Sequence, residues 1–208
     1  MPRTPRTTDL DFHPLTPDHW PDLERLFGPN GACGGCWCMW WRMSGPEFKK
    51  ARGPEKKRAF RAVVRTAAHP PGIIAYRDAA PVGWVALAPR EEYRRLAEAR
   101  VLKAIDAKPV WSITCFFIHR TARRRGLMER LIAAAVEFVR DRGGTLVEAY
   151  PKPVTEKMSS TDLYVGTVAC FERCGFDVTA RPSAARAIMR KPVKPRRART
   201  ESRAPATP

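Results

Sequence analysis

Arg123-Arg124-Arg125-Gly126 is the stretch of this 208-residue chain with the clearest chemical use. It stands between the apolar run Val110 to Ile118 and a helical pattern that begins at Leu127. Free main-chain N–H groups at a helix start, with the positive end of the helix dipole, form a seat for an anion. Gly126 has no Cβ, so a diphosphate can approach the main chain there. The arginines add charge and forked donors that match phosphate oxygens. A plain basic turn capping a surface helix is the other reading, and the strand before and helix after argue against it.

A second stretch invites chemistry: Cys33-Gly34-Gly35-Cys36-Trp37-Cys38, followed by Met39-Trp40-Trp41-Arg42. Cys-x-x-Cys is the spacing of two thiolates on one zinc, and Cys38 could add a third. A second Cys/His pair with ligand spacing is missing: His69 and His119 stand alone, and Cys170 and Cys174 fall in another helical pattern. No metal is therefore expected. The six cysteines are read as reduced thiols and not as a disulfide frame.

The elements that must position these residues follow from periodicity. Leu10, Phe12 and Leu15 mark a first strand; Thr16-Pro17 starts a helix carrying Trp20, Leu23, Leu26 and Phe27, which stops at Gly28-Pro29. A basic helix is expected over Pro54 to Ala67. Ile73 to Tyr76 and Val82 to Leu87 read as a hairpin, with Pro81 opening the second strand. Arg90 to Ile105 has helical composition. Val110 to Ile118 is a nearly continuous run of apolar and β-branched residues, as for a central strand covered on both faces. Leu127, Leu131, Ala135 and Phe138 mark a helix face, ended by Gly143-Gly144. Thr145 to Tyr150, a helix through Ala169 and Phe171, and a last strand near Ala187 to Met189 complete the order. The fold class is α/β: one mixed, mostly antiparallel central sheet flanked by helices.

With these elements in place the chain resembles the GCN5-related N-acetyltransferases. Arg123-Arg124-Arg125-Gly126-Leu127-Met128 follows the family's diphosphate-binding pattern, with Met128 where the pattern has Gly or Ala. Pro81-Val82-Gly83-Trp84-Val85-Ala86 is similar to the strand after the family's hairpin turn, and Phe171-Glu172-Arg173-Cys174-Gly175-Phe176 to its late helix ending in Gly-Phe. Together they span residues 9 to 190 in the family's order, leaving residues 1–8 as a flexible arm and 191–208 as a basic disordered tail.

The resemblance implies acetyl-CoA as co-substrate. Its pantetheine arm would pair with the main chain of Phe116, Phe117 and Ile118, and its diphosphate would rest on Arg123 to Met128. The reaction would be direct attack of a primary amine on the thioester, the acceptor being a small molecule or a peptide. Many members use a late-helix Tyr as acid for the leaving thiolate; the register puts Phe171 there, so Tyr164 or Tyr150 is the candidate substitute. Glu148 shares a strand face with Tyr150 and is the candidate base, with a structural ion pair as the alternative. Trp37, Trp40 and Arg42 fall where the family builds its acceptor pocket and are candidate substrate contacts, or simply core.

The formal charge of +17 attracts polyanions. From Arg190 to Pro208 seven Lys/Arg face the single Glu201, a local excess of +6. That tail is read as a solubilising appendage or a nonspecific contact for nucleic acid. The alternative function is accordingly a basic nucleic-acid-associated protein that binds CoA without turnover, though no nucleic-acid-binding signature accompanies the charge. No apolar run is long enough to span a membrane, and the N-terminal MPRTPRTTDLDF lacks a signal-peptide core, so a cytoplasmic location is expected. The oligomeric state, a homodimer included, is left open.

Overall fold

A computed structural model of the chain describes residues 10–153 and 162–194. The expected arm over 1–8 lies outside the described residues, as does the basic tail from 195 onward. Seven strands form one sheet in the order β1-β2-β3-β4-β5-β7-β6. They are β1 (Leu10–Pro14), β2 (Gly72–Arg77), β3 (Ala80–Pro89), β4 (Trp111–Ile118), β5 (Leu146–Ala149), β6 (Asp177–Ser183) and β7 (Arg186–Pro192). Every neighbour pairing is antiparallel except β4 with β5. The helices are α1 (Trp20–Phe27), α2 (Gly45–Lys50), α3 (Gly53–Thr66), α4 (Arg94–Glu98), α5 (Leu127–Asp141) and α6 (Val168–Arg173).

Strand alternation divides the core between the two sheet faces. Ile73, Ala75, Val85 and Leu87 pack toward α5, with Leu127, Leu131 and Ala135. Ile74, Tyr76, Trp84 and Ala86 face the other way, toward α1, α3 and the cysteine-tryptophan loop, with Trp20, Leu23, Trp37 and Phe60. Gly83 lets α5 come close: a Cβ there would lie 3.0 Å from Leu127 Cδ2 and 3.2 Å from Leu131 Cδ1.

Several boundaries differ from expectation, each for a local reason. The hairpin turn is only Asp78-Ala79, both at positive φ (50° and 60°), and β3 begins at Ala80. Pro81 therefore lies inside β3, and it is tolerated because it faces Tyr76 at a register shift. Thr16 and Pro17 lead first into a 3₁₀ turn, Pro17–His19, before α1. The expected helix from Arg90 to Ile105 is reduced to a 3₁₀ turn, Arg90–Glu92, and the five-residue α4. Arg90 bends the segment, donating to the main-chain carbonyls of Leu96 at 3.4 Å and Leu102 at 2.6 Å. The last strand is a hairpin, β6 and β7, where one strand was expected.

Sheet topology opens the centre of the molecule. β4 pairs with β5 only through Trp111↔Val147, Ser112↔Glu148 and Ile113↔Ala149. Beyond Ile113, β4 keeps only β3 as a strand partner among the described residues. Thr114 is skipped in the β3–β4 register, which runs from Ala86↔Cys115 to Leu87↔Ile113, so β4 bulges where β5 leaves it. The chain after β5 pairs instead with the segment before α6, through the Lys152↔Thr167 bridge.

Candidate functional site

Two cavities meet across this opening. One, of about 490 Å³, runs along the end of β4 to the start of α5. The other, of about 430 Å³, lies toward the cysteine-tryptophan loop. Phe116 and Tyr164 line both. A wider groove of about 750 Å³, bounded by Asn30 to Gly35, Gly53 and Lys57, also ends at Tyr164.

The first cavity has the features of an anion seat. Arg124 and Gly126 take left-handed conformations (φ 60° and 70°), which turn the chain abruptly from strand to helix. Gly126 caps α5 without a side-chain hydrogen bond, so the amides of the first turn point out of a fifteen-residue helix. Arg123, Arg124, Gly126, Leu127 and Met128 all line this cavity, as do Phe116 and Ile118. Arg125 does not, and Phe117 faces the second cavity. Arg123 donates through Nε to the Ile118 carbonyl at 3.0 Å, so that carbonyl is already engaged.

Glu129, in the first turn of α5, also lines the seat. The Arg173 guanidinium, 2.6 Å away, holds its carboxyl below the usual carboxylate range, helped by its own main-chain N–H and opposed by burial. A diphosphate would share the helix start with this negative charge. The signal was present in the sequence as an acid three residues after a helix-starting glycine, a position acids favour.

The free edge of β4, the seat and the arginines fit a CoA-type ligand: an extended amide-bearing arm, then a doubly charged diphosphate. Met128 takes part through its position in the first turn, and its main-chain donor is unaffected by the larger side chain.

Tyr164 sits in the 3₁₀ turn Asp162–Val165, and its ring lies parallel to Phe117. Cys33 is its neighbour on the walls of the wider groove and of the second cavity. Burial, then this neighbour, pushes the Tyr164 pKa up to about 12. Phe171, at the position of the usual tyrosine, is fully buried against Phe116 and Phe176.

Glu148 and Tyr150 line none of the three cavities. Glu148 is fully buried, with Oε1 held by Arg90 at 2.8 Å and Oε2 by Arg190 at 2.7 Å. The Tyr150 hydroxyl donates to Glu148 Oε1 at 2.5 Å, receives Arg90 at 2.6 Å and lies 2.8 Å from Ser112 Oγ. Burial, with the Glu148 charge beside it, raises the Tyr150 pKa far above its ordinary value. Alternation put these two side chains on one face, as expected, but that face points at the largely buried guanidiniums of Arg90 and Arg190.

The second cavity takes Trp40 from the expected acceptor wall, half-exposed at 46%, and adds Trp41, Phe48, Lys152 and Arg186. Trp37 is packed against Trp20 and Phe27 and reaches the wider groove. Arg42 lies outside all three cavities; its side chain is buried, paired with Glu92 at 2.8 Å and held over the Tyr93 ring. Lys152 and Arg186 were not legible because they reach the wall from a bridge and from β7, far apart in sequence. Four thiols, Cys33, Cys36, Cys38 and Cys115, line this cavity. Among the described residues no group of three or more His, Cys, Asp or Glu is placed to hold a metal ion.

Among the described residues no helix is long and apolar enough to cross a membrane. No curated protein matches the sequence. Solved structures of similar fold include a GNAT-family acetyltransferase from Desulfovibrio desulfuricans, with TM-score 0.53 and 17% identity over 89% of this chain and all of that one. They also include PaiA N-acetyltransferase from Thermoplasma acidophilum in complex with coenzyme A, with TM-score 0.51 and 13% identity over 88% of this chain and 99% of that one. An aminoglycoside N-acetyltransferase in complex with CoA has TM-score 0.53 and 18% identity over 86% of this chain and 94% of that one. At such identities the likeness is one of fold. The sequence model of the acetyltransferase (GNAT) family matches residues 37–176, more than half of the chain, and on that match the protein belongs to this family.

Proposed function

We propose that the protein is an N-acetyltransferase that moves the acetyl group of acetyl-CoA to a primary amine by direct attack. Family membership supplies the broader statement, acyl transfer from an acyl-CoA to an amine. The observation that carries the finer reading is the position of Tyr164, between the cavity at the arginine turn and the cavity at the tryptophan loop. A thioester with its diphosphate on the start of α5 would present its carbonyl near Phe116, and an amine in the second cavity would meet it there.

In this reading the main chain of Phe116, Phe117 and Ile118 orients the pantetheine arm. Arg123, Arg124 and the amides of Leu127 and Met128 hold the diphosphate, and Arg125 adds positive field from outside the cavity. Main-chain N–H groups at the free edge of β4 polarise the thioester carbonyl. Tyr164 protonates the leaving thiolate; a phenol with a pKa near 12 holds its proton throughout the neutral range. Trp40 contacts the acceptor, and Trp37 contacts the part of it that extends into the wider groove. Glu148, Tyr150 and Arg42 act as positioning residues.

The test is a thiol-release assay with acetyl-CoA against a panel of amines, alongside calorimetry of acetyl-CoA binding. Binding without release of CoA to any amine would favour the alternative of a CoA-binding protein without turnover. No binding to the wild-type chain would end both readings. A cytoplasmic location, a homodimer and nucleic-acid contact through the tail remain separate proposals, tested by fractionation, sedimentation and binding with and without residues 195–208.

A further inference from the structure

The four thiols around the second cavity are not used by the proposed reaction, and two of them are specifically arranged. Cys115 lies on β4 two residues before Phe117, so both side chains face the cysteine-tryptophan loop. Trp84, on the neighbouring strand and opposite Phe117, faces the same way. Cys38 comes down onto this face from the loop. Its sulfur receives the Trp84 indole N–H at 2.9 Å, in a fully buried contact. Cys115 packs against the same cluster and lines the same cavity as Cys38, and its thiol donates to the Phe116 carbonyl, 3.7 Å away.

We propose that Cys38 and Cys115 form an oxidative modification site, at which a small hydroperoxide joins the two thiols into a disulfide across the acceptor cavity. Cys38 is the attacking group, because its sulfur accepts from the Trp84 indole and has the Arg42 guanidinium nearby, an arrangement that favours thiolate. The Cys115 thiol, then the indole, draw the Cys38 pKa below its ordinary value against the effect of burial. Both cysteines line the cavity, which is the route by which a small peroxide would reach them.

The steps balance. Cys38 Sγ attacks the terminal peroxide oxygen, the O–O bond breaks, and the leaving alkoxide or hydroxide takes the thiol proton. The product is a sulfenic acid and one alcohol or water. Cys115 Sγ then displaces the hydroxyl as a second water and forms the S–S bond. The thiol pair loses two electrons and the peroxide gains them. The loop can follow the sulfur because Trp37 and Cys38 both hold left-handed backbone (φ 45° and 57°), a strained pair that can relax. Cys33 and Cys36 form their own turn, with Cys36 N–H bonded to the Cys33 carbonyl at 3.0 Å. Burial first, then the neighbouring Cys38, raises the Cys36 pKa to about 11, which leaves Cys36 the weaker competitor.

The disulfide itself does not depend on the transferase reading; only its consequence does. Tying the loop to β4 narrows the acceptor cavity and leaves the arginine turn untouched. The experiment treats the full chain with hydrogen peroxide at slight molar excess, blocks free thiols, and maps peptides without reduction. The expected product is a Cys38–Cys115 cross-linked peptide that has lost two hydrogens and disappears with dithiothreitol. Cys174→Ser should respond as wild type does. Cys115→Ser should leave a Cys38 sulfenic acid that dimedone traps. Acyl transfer by the oxidised chain should fall by about tenfold or more, since small displacements at a reacting site are that costly, and return on reduction. Acetyl-CoA affinity should stay within about twofold, since the diphosphate contacts are unchanged. Cross-linking of Cys33 to Cys36, or direct passage of Cys38 to sulfinic acid in the wild-type chain, would overturn the proposal. If Cys115→Ser fails to fold, the wild-type peptide map alone decides. A chain that forms the disulfide but never acetylates an amine would defeat the transferase reading and leave this one standing.

Discussion

The ring of Tyr164 lies against that of Phe117 with centroids 6.5 Å apart and planes only 8° from parallel. Phe117 belongs to the central strand, whereas Tyr164 comes from a 3₁₀ turn that approaches across the gap left by β5. The contact fixes a phenol hydroxyl at the meeting point of two cavities. Tyr164→Phe should keep the ring contact and remove only the proton. The expected result is a fall in kcat of about 10²-fold or more, the usual scale for a lost general acid, with the KM for acetyl-CoA nearly unchanged. With its pKa near 12, the wild-type tyrosine should impose no falling limb on the pH–rate profile below about pH 11. A variant as active as wild type would remove Tyr164 from the chemistry.

Arg124 and Gly126 both sit in left-handed backbone at the start of α5, and they should separate affinity from stability. Arg124→Ala removes a forked cation and should weaken acetyl-CoA binding by about tenfold or more, the scale of one charge-assisted hydrogen bond. Gly126→Ala meets open space, its nearest neighbour being Glu129 Oε2 at 3.9 Å, so sterics are not its cost. Its cost is the left-handed φ, about 1–2 kcal/mol. Calorimetry and a denaturant titration on both variants should show the two effects on different residues.

The strand–turn–helix at residues 110 to 128 was legible because each of its local signals agrees: nearly continuous apolar and β-branched residues, a glycine and then a helical stripe. The β2–β3 hairpin was legible for the same reason. β6 was not, since it is an edge strand with no buried residue: Val178 and Ala180 alternate with Asp177, Thr179 and Arg181, but two half-buried apolar positions before the exposed Pro182 and Ser183 make a weak signal. The helix expected over 90–105 failed because a tertiary contact overrode composition: Arg90 draws two carbonyls of that segment around itself. The site shows the same division. The diphosphate seat is local and was read from adjacent residues, whereas the acceptor wall joins Trp40, Phe48, Lys152 and Arg186 from distant segments. Alternation correctly paired Glu148 with Tyr150 and could not reveal the arginines waiting on the far side.

Glu129 places a carboxylate at the helix start that a diphosphate needs. Glu129→Gln keeps the side-chain shape and removes the charge. Acetyl-CoA should bind about two- to fivefold more tightly, the scale of one charge at a helix terminus. The sign follows from Arg173, which holds the Glu129 carboxyl below its ordinary range. The group is therefore ionised across neutral pH, and the gain should stay constant from about pH 6 to pH 9. Calorimetry of both chains at three pH values checks this; equal affinities would mean that Arg173 already neutralises the charge.

Glu148 binds Arg90 on one oxygen and Arg190 on the other, and Arg190 reaches on to Asp106 at 2.7 Å. The hub therefore ties β5 and β7 to the segment that follows β3. Glu148→Gln leaves two largely buried guanidiniums facing a neutral amide. Removing one member of a buried ion pair costs about 3–5 kcal/mol, because the remaining charge stays desolvated. A general base would behave in the opposite way, losing turnover while the fold persisted. The positioning role accordingly predicts a large drop in the urea midpoint, with kcat per folded molecule within about threefold of wild type, since no group at the reacting atoms is lost. The measurement is a urea titration together with kcat on the folded fraction, and a fall of orders of magnitude in kcat at unchanged stability would return Glu148 to the chemistry.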